Sequence, residues 1–309
     1  MRNVPTAAFI AAAALCVAAL LFLEPGISGN PASQAAPGAC AETVPDVSFS
    51  AKAAYAVDLA TGTALYADNA DAQLPLASLT KLMTVATALD SLSSGDTITV
   101  TPAALAPEGD AGFVAGERWK AADLVAYTLM VSANDGAHAL ALAASAKRGL
   151  APDAFIKNMN AKARSLGFFE SYFLNDTGLD LSSTTAGAYG SARDVAALIA
   201  YLVKDHPDAI EGTRDAAGAF VSLSGLRHAA ENTSFVGSEL SGALAQKTGY
   251  TDLAGGNLAV VFEPLPGRPV AAVILGSTKD GRDEDMRALA ETAKEALKRV
   301  IECGHAGSP

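Results

Sequence analysis

A serine and a lysine stand three residues apart in the segment Ser78-Leu79-Thr80-Lys81. Apolar residues recur at helical spacing over 78–92, which predicts a helix whose first turn carries both side chains on one face. A serine hydroxyl is a weak nucleophile until a base takes its proton, and a lysine serves as that base only where its pKa is lowered. Taken alone the pair is weak, because Ser78 can equally cap the helix while Lys81 is a solvated surface charge.

Two further motifs combine hydroxyl, amide and amine groups. The Ser-Ala-Asn segment at 132–134 falls between two predicted helices, so it presents a hydroxyl and an amide together, or its asparagine caps the second helix. The Lys-Thr-Gly segment at 247–249 lies at the edge of a predicted strand, where the glycine permits close approach of a ligand to the backbone. A second lysine near Lys81 would lower the pKa of that base by repulsion between like charges.

The elements that must position these motifs follow from the hydrophobic pattern. Alternating β-branched and aromatic runs predict a hairpin over 53–68 and strands over 96–101, 219–223, 243–248, 257–262 and 270–275. Apolar residues at helical spacing predict helices over 78–92, 121–131, 136–146, 153–166, 192–204 and 283–303. Strands at both ends around a helical block predict one α+β unit. Its sheet is expected to be mostly antiparallel, because the connections at 255–256 and 265–267 are too short for helical crossovers.

The order of the motifs, Ser-x-x-Lys, then Ser-x-Asn, then Lys-Thr-Gly, is the set that penicillin-binding proteins and class A β-lactamases share. Two further stretches narrow the choice: Phe-Leu-Asn-Asp-Thr-Gly-Leu at 173–179 and Ser-Ala-Arg-Asp at 191–194. With these, residues 48–300 resemble the low-molecular-mass penicillin-binding proteins of the D-alanyl-D-alanine carboxypeptidase family. The resemblance implies a β-lactamase-like fold, an antiparallel sheet flanked by helices with a helical subdomain.

The resemblance also implies a role for each matching residue. Ser78 would be the nucleophile that forms an acyl-enzyme, Lys81 its base, and Ser132 a relay that returns a proton to the leaving amine. The backbone N–H groups of Ser78 and Tyr250 would form the oxyanion hole. The residues implied in substrate binding are Asn134 for the substrate amide, Lys247 and Thr248 for the terminal carboxylate, their neighbours Gly249 and Tyr250, and Arg282 as a further carboxylate ligand.

The sequence departs from the family's motifs at two positions, and neither change removes a reacting group. Ala133 stands where glycine is frequent, and Tyr172 stands where histidine is frequent. The expected activity is D-Ala-D-Ala carboxypeptidase action on peptidoglycan stem peptides, with β-lactam antibiotics as ligands and no cofactor or metal. His138 is interpreted as a packed or surface residue and receives no role.

Three alternatives use the same fold. A DD-endopeptidase that cuts cross-linked peptides would use the same residues, so the sequence leaves it open. A β-lactamase needs a deacylating carboxylate in Glu-x-x-Leu-Asn, and Glu170 precedes Leu174-Asn175 by one residue too many. A catalytically silent wall-binding scaffold would keep the motifs without the chemistry, since fold does not fix function.

Composition bounds the class of partner and the compartment. Of the 309 residues, 22 are Lys or Arg and 33 are Asp or Glu, which gives a net charge of −11 and disfavours binding to nucleic acid. Residues 4–23 contain no charge over a length that can cross a bilayer, so we expect 1–23 to be a membrane anchor or signal segment and the remainder to be exported.

The remaining boundaries follow from composition and cysteine positions. Residues 24–45 are rich in Pro, Gly, Ser and Ala and are predicted to be a flexible linker, 46–305 the catalytic domain, and 306–309 a tail. Cys40 and Cys303 flank the predicted domain, and because domain termini often lie close together we predict that they form a disulfide in an oxidising compartment.

Overall fold

The computed structural model describes residues 48–306, and in that range it contains twelve strands, eight α-helices and two short 3-10 helices. The strands are β1 (Ala53–Asp58), β2 (Ala64–Asp68), β3 (Leu74–Pro75), β4 (Thr97–Thr99), β5 (Arg118–Lys120), β6 (Tyr172–Phe173), β7 (Ala188–Gly190), β8 (Ala217–Val221), β9 (Arg227–Glu231), β10 (Ala243–Thr251), β11 (Gly255–Leu265) and β12 (Arg268–Ser277). The helices are α1 (Thr80–Ala88), α2 (Ala121–Val131), α3 (Asn134–Lys147), α4 (Ala154–Ser165), α5 (Ala192–Asp205), α6 (Pro207–Ile210), α7 (Val236–Glu239) and α8 (Gly281–Ala306), and the 3-10 helices span Ala77–Leu79 and Glu211–Arg214.

The main sheet has five strands in the spatial order β10-β11-β12-β1-β2, and every neighbouring pair is antiparallel. The N-terminal hairpin and the C-terminal strands therefore form one sheet, and the hairpin lies beside β12 with Tyr55 opposite Val273. Because β10 is the last strand in this order, one of its edges has no strand beside it within the sheet.

The two faces of the sheet are covered by different helices, and the period of two along each strand separates them. Ala54 and Ala56 of β1 belong to an apolar cluster with Met286 and Leu289 of α8. Tyr55, which points the other way, belongs to the larger cluster that the helical block forms. Each fully buried leucine or methionine contributes about 1.5–3 kcal/mol relative to exposure, so both faces stabilise the sheet substantially.

Three smaller sheets lie outside the main one: β3-β7-β6, β4-β5 and the hairpin β8-β9. The sequence predicts β8, but it misses its partner β9, whose residues Arg227–Glu231 alternate between exposed and buried. At residues 255–256 the prediction of a turn is wrong, since both glycines lie inside β11 and the reversal occurs at 252–254.

The predictions for the N-terminal segment, the linker and Cys40 lie outside the described residues. The chain divides after Ala41 into two units, and the described residues all fall in the second. Within residues 48–306, no helix is both long and apolar enough to span a bilayer. Cys303 is disulfide-bonded, while its predicted pairing with Cys40 stays a prediction.

Candidate active site

The nucleophile candidate Ser78 lies in the 3-10 helix Ala77–Leu79, directly before α1. The preceding residue, Ala77, has a positive φ of 48°, a conformation that costs a residue with a Cβ about 1–2 kcal/mol. Such strain persists only where the surroundings hold it, and it concentrates at functional sites. Here Gly178 presses against the segment: a Cβ at that position would lie 1.9 Å from the carbonyl oxygen of Ala77.

Lys81 lies one turn after Ser78, and its side chain is completely buried. Its ammonium nitrogen Nζ lies 2.8 Å from Ser78 Oγ, 2.6 Å from Asn134 Oδ1 and 2.8 Å from the carbonyl oxygen of Thr177. The sequence predicts the first of these contacts. The other two come from α3 and from the loop after β6, so three separate elements fix the direction of the amine.

Burial lowers the pKa of Lys81 to about 7, even though the negative charges of Asp176 and Asp135 act in the opposite direction. A buried ammonium loses its hydration, and the three oxygens that accept from Lys81 belong to a hydroxyl, an amide and a backbone carbonyl rather than to a carboxylate. An amine with a pKa near neutrality is a competent general base at physiological pH. The requirement that the sequence sets for this lysine is therefore met.

Ser132 and Asn134 stand at the junction of two helices. Ser132 ends α2 in the left-handed conformation, with φ 62° and ψ 37°, and Asn134 begins α3. The Asn134 amide accepts from Lys81 through Oδ1 and donates through Nδ2 to the carbonyl oxygen of Glu108 at 2.7 Å. This pair of contacts fixes the orientation of the amide.

Lys247 and Thr248 lie on β10, across from the helical elements. The Nζ of Lys247 donates to Ser132 Oγ at 2.8 Å and to the carbonyl oxygen of Thr248 at 2.9 Å. Burial lowers the pKa of Lys247 well below its usual value, and the positive charges of Lys81 and Arg282 lower it further. The two lysines are therefore close together, as predicted. Their repulsion lowers the pKa of Lys247, whereas the prediction was that it would lower the pKa of Lys81.

An open cleft of about 370 Å³ lies between these groups. Six of the residues that the sequence assigns to catalysis or binding line it: Ser78, Ser132, Thr248, Gly249, Tyr250 and Arg282. Thr233 and Lys279 complete the lining. Arg282 donates from Nη2 to the carbonyl oxygen of Thr233 at 2.9 Å, which directs the guanidinium along the edge of β10. A second space of about 490 Å³ is also lined by Ser132, together with Asn134.

Sequence reasoning missed the part that the loop at 175–178 plays. Asn175 Oδ1 accepts from the backbone N–H of Thr177 and of Gly178, which shapes the turn that brings the Thr177 carbonyl to Lys81. It also missed the contact between His138 and Asp176. The stretch 173–179 was singled out in the sequence. Its contact with Lys81 could not be predicted, because the acceptor is the backbone carbonyl of Thr177 and any residue type supplies such a group.

Comparison with known proteins assigns the fold and the family. The family model described as D-alanyl-D-alanine carboxypeptidase matches residues 39–279. The chain belongs to this family. A penicillin-binding protein D2 from Listeria monocytogenes, solved in its ampicillin-bound form, superposes with a TM-score of 0.65 and 28% identity, over 81% of this chain and 99% of that one. The expected fold is confirmed.

The similar proteins include both carboxypeptidases and endopeptidases. D-alanyl-D-alanine carboxypeptidase DacA from Escherichia coli K12 is 29% identical over 75% of this chain, and a D-alanyl-D-alanine endopeptidase from the same organism is 29% identical over 77% of this chain and 74% of its own length. The chain spans 58% of the length of DacA and 40% of the length of D-alanyl-D-alanine carboxypeptidase DacF from Bacillus subtilis.

The site contains no candidate for metal chemistry in the described range. Among residues 48–306, no group of three or more His, Cys, Asp or Glu side chains is placed to hold a metal ion. Glu170, the residue considered for a β-lactamase, is exposed in the turn before β6, where its carbonyl accepts from Gln73. What the site does contain is a serine hydroxyl, Ser78, within hydrogen-bond distance of the buried amine of Lys81.

Proposed function

We propose that the chain is a serine-type D-Ala-D-Ala carboxypeptidase that acts on peptidoglycan stem peptides through an acyl-enzyme on Ser78 and that binds penicillin. The observation that carries the proposal is the 2.8 Å contact between Ser78 Oγ and the buried amine of Lys81, whose pKa of about 7 suits a base at neutral pH. Family membership supplies the substrate class.

Acylation would begin when neutral Lys81 takes the proton of Ser78. The oxygen attacks the carbonyl carbon between the two D-alanines, and the oxyanion binds the backbone N–H groups of Ser78 and Tyr250. When the C–N bond breaks, the leaving amine of D-Ala needs a proton. Ser132, whose hydroxyl lines the cleft with Ser78, would relay to this amine the proton that Lys81 took, which leaves Lys81 neutral again. The donation from Lys247 Nζ to Ser132 Oγ at 2.8 Å would orient that hydroxyl.

Binding would use the edge of β10. The peptide lies along this edge as an added strand, and its terminal carboxylate approaches Thr248, Lys247 and Arg282. Water then hydrolyses the ester to release the shortened peptide and the free Ser78 hydroxyl, which completes a balanced hydrolysis. We also propose that the enzyme works outside the cytoplasm, held at the membrane by residues 4–23.

The test is labelling of the full-length chain with a fluorescent penicillin, with D-Ala release from a pentapeptide ending in D-Ala-D-Ala measured in the same preparation. Wild type should take a stable label and release D-Ala, and Ser78→Ala should do neither. Ser182→Ala is the matched control, because Ser182 is exposed and hydrogen bonds only within its own turn among the described contacts. Absence of labelling on folded wild-type protein would leave the silent scaffold.

The second candidate is a DD-endopeptidase, which the similarity to an E. coli endopeptidase favours. Adding a cross-linked dimer of stem peptides to the same assay separates the two. Label with cleavage of the dimer but no D-Ala release would replace the carboxypeptidase with the endopeptidase. Rapid loss of label with destruction of the penicillin would instead identify a β-lactamase.

A further inference from the structure

A histidine that has no part in the mechanism above contacts the wall of the site. His138 Nδ1 lies 2.7 Å from Asp176 Oδ2. His138 lies on α3, four residues after Asn134, and therefore on the same face of that helix. Asp176 is buried in the loop at 175–178, directly before Thr177. The contact joins two elements that are 38 residues apart in the chain.

These two elements are the ones that hold Lys81. The amine of Lys81 donates to Asn134 Oδ1 from α3 and to the Thr177 carbonyl from the loop. The His138–Asp176 contact closes a ring around the base: Lys81, Asn134, α3, His138, Asp176, Thr177 and back to Lys81. The loop is also tied to α1, since Thr84 Oγ1 donates to the Asp176 carbonyl oxygen at 2.7 Å.

The charges around the ring act on the base as well. Asp176 and Asp135 raise the pKa of Lys81 against the effect of burial. The basic groups on the facing side are Lys247 and Arg282, and the positive charges of Lys81 and Arg282 lower the pKa of Lys247. The hydrogen bond and charge of Asp176 raise the pKa of His138, although burial of the imidazole acts against them. A protonated His138 therefore offsets part of the negative charge that Lys81 experiences from Asp176.

We propose that His138 and Asp176 are positioning residues for the catalytic base, and that together they hold the Lys81 amine toward Ser78 and set the pH range over which the serine is acylated. The proposal deepens the proposed function and rests on it, since it needs an acylation step to act upon. Neither residue lines the cleft. Both act through Lys81.

The two charges predict opposite effects on the pH profile. Acylation needs neutral Lys81, so its rate rises with pH through the pKa of that lysine and levels off above it. Removing the Asp176 charge lowers the pKa of Lys81, which moves the rising limb to lower pH. Removing His138 exposes Lys81 to the full charge of Asp176, which moves the limb to higher pH. Loss of either residue loosens the ring and lowers the plateau.

The experiment measures the second-order rate constant for penicillin acylation of the full-length chain from about pH 5 to about pH 9, the range that spans histidine and lowered-lysine titration. The variants are Asp176→Asn, His138→Asn and His138→Ala. The asparagine at 138 places an amide N–H close to the position of Nδ1 and keeps a hydrogen bond to Asp176 without a titrating ring. His206→Asn is the matched control, because among the described side-chain hydrogen bonds His206 contacts only the hydroxyl of Tyr201 and no carboxylate.

We expect the limb to move down in Asp176→Asn and up in both His138 variants, with a plateau about tenfold lower in His138→Ala and largely restored in His138→Asn. His206→Asn should match wild type. His138 is 28% exposed, so its two variants decide the question even if Asp176→Asn does not fold. Equal falls in plateau with an unmoved limb would show a merely structural contact and overturn the proposal. A wild type that penicillin does not acylate would overturn the proposed function instead.

Discussion

Two buried lysines lie behind the cleft, Lys81 on its helical wall (α1, the start of α3 and the loop at 175–178) and Lys247 on its strand wall (β10). Their contacts are closely similar. On the helical wall, Lys81 Nζ donates to a serine hydroxyl, Ser78, at 2.8 Å and to the backbone carbonyl of Thr177 at 2.8 Å. On the strand wall, Lys247 Nζ donates to a serine hydroxyl, Ser132, at 2.8 Å and to the backbone carbonyl of Thr248 at 2.9 Å. Burial lowers the pKa of both lysines.

The walls differ in the charges that surround each lysine. The negative charges of Asp176 and Asp135 offset part of the effect that burial has on the pKa of Lys81, which is lowered only to about 7. Lys247 has positive neighbours, Lys81 and Arg282, and these add to the effect of burial. A pKa near 7 suits Lys81 to the proposed proton transfer, whereas an anionic ligand would offset the positive charges around Lys247. The difference supports the proposed division, with proton transfer on the helical wall and carboxylate binding on the strand wall.

Removing the amine of Lys81 should have the largest effect. In Lys81→Met the side chain keeps its length and the buried charge is gone, so the fold is expected to survive while Ser78 loses its base. We expect the rate of penicillin acylation to fall about 10³-fold, within the range of general-base contributions and equivalent to about 4 kcal/mol. Stopped-flow or gel-based labelling kinetics measure it.

The control for this change is another lysine with little exposure. Lys162 on α4 has a side chain that is 11% exposed and pairs with Asp90 at 2.6 Å. Lys162→Met should leave acylation unchanged. If Lys81→Met acylated at the wild-type rate, proton transfer would not belong to the helical wall and the division between the walls would be wrong.

The sequence predicts the helical wall in outline because its signal is local. The spacing of Ser78 and Lys81 and the apolar pattern after them predict a helix with both groups on one face. The structure brings the two groups into contact, although Ser78 lies in the 3-10 helix that precedes α1. The antiparallel character of the main sheet was also predicted, although the strand order was not and the connection expected at 255–256 lies inside β11. Local pattern therefore indicated most elements, but it missed β9 and misplaced one reversal.

The features that tune the site were not predictable, because they depend on contacts between distant segments. The complete burial of Lys81 requires α3 and the loop at 175–178 to close over it. Ala77 and Ser132 both have a positive φ. Alanine and serine usually avoid that conformation, so their presence in the sequence gives no sign of it. His138 was interpreted as a packed or surface residue because a lone histidine carries no spacing signal, and its partner Asp176 lies 38 residues away.

A glycine of the helical wall offers a smaller test, measured as stability. The Cβ of Gly178→Ala would lie 1.9 Å from the Ala77 carbonyl oxygen, and the glycine has a φ of +82°. We expect the free energy of unfolding to fall by about 3 kcal/mol, from overpacking added to backbone strain. Urea denaturation followed by circular dichroism measures it.

Gly225→Ala separates the two causes. Gly225 has nearly the same φ, +81°, but beyond its chain neighbours no atom lies within 4 Å of the place where a Cβ would stand. Its substitution should cost only the strain, about 1 kcal/mol. Equal losses in the two variants would show that the close approach of Gly178 to Ala77 does not hold the nucleophile segment.

The smallest of the three effects should come from the strand wall. In Lys247→Met the ligand carboxylate loses a buried cationic partner but keeps Thr248 and Arg282, so we expect KM for the pentapeptide to rise about tenfold, equivalent to about 1.4 kcal/mol, with a smaller change in kcat. Steady-state D-Ala release measures both constants. Lys279→Met is the matched control, because Lys279 lines the same cleft but is exposed, where its charge is screened by solvent.

A pentapeptide whose terminal carboxylate is replaced by an amide sharpens the comparison. Wild type should discriminate against the amide, and Lys247→Met should lose about tenfold of that discrimination while Lys279→Met keeps it. If Lys247→Met instead lowered kcat about 10³-fold with KM unchanged, like the loss expected for Lys81→Met, the two buried lysines would share proton transfer. The charges around each lysine would then not determine its task, and the strand wall would be part of the base.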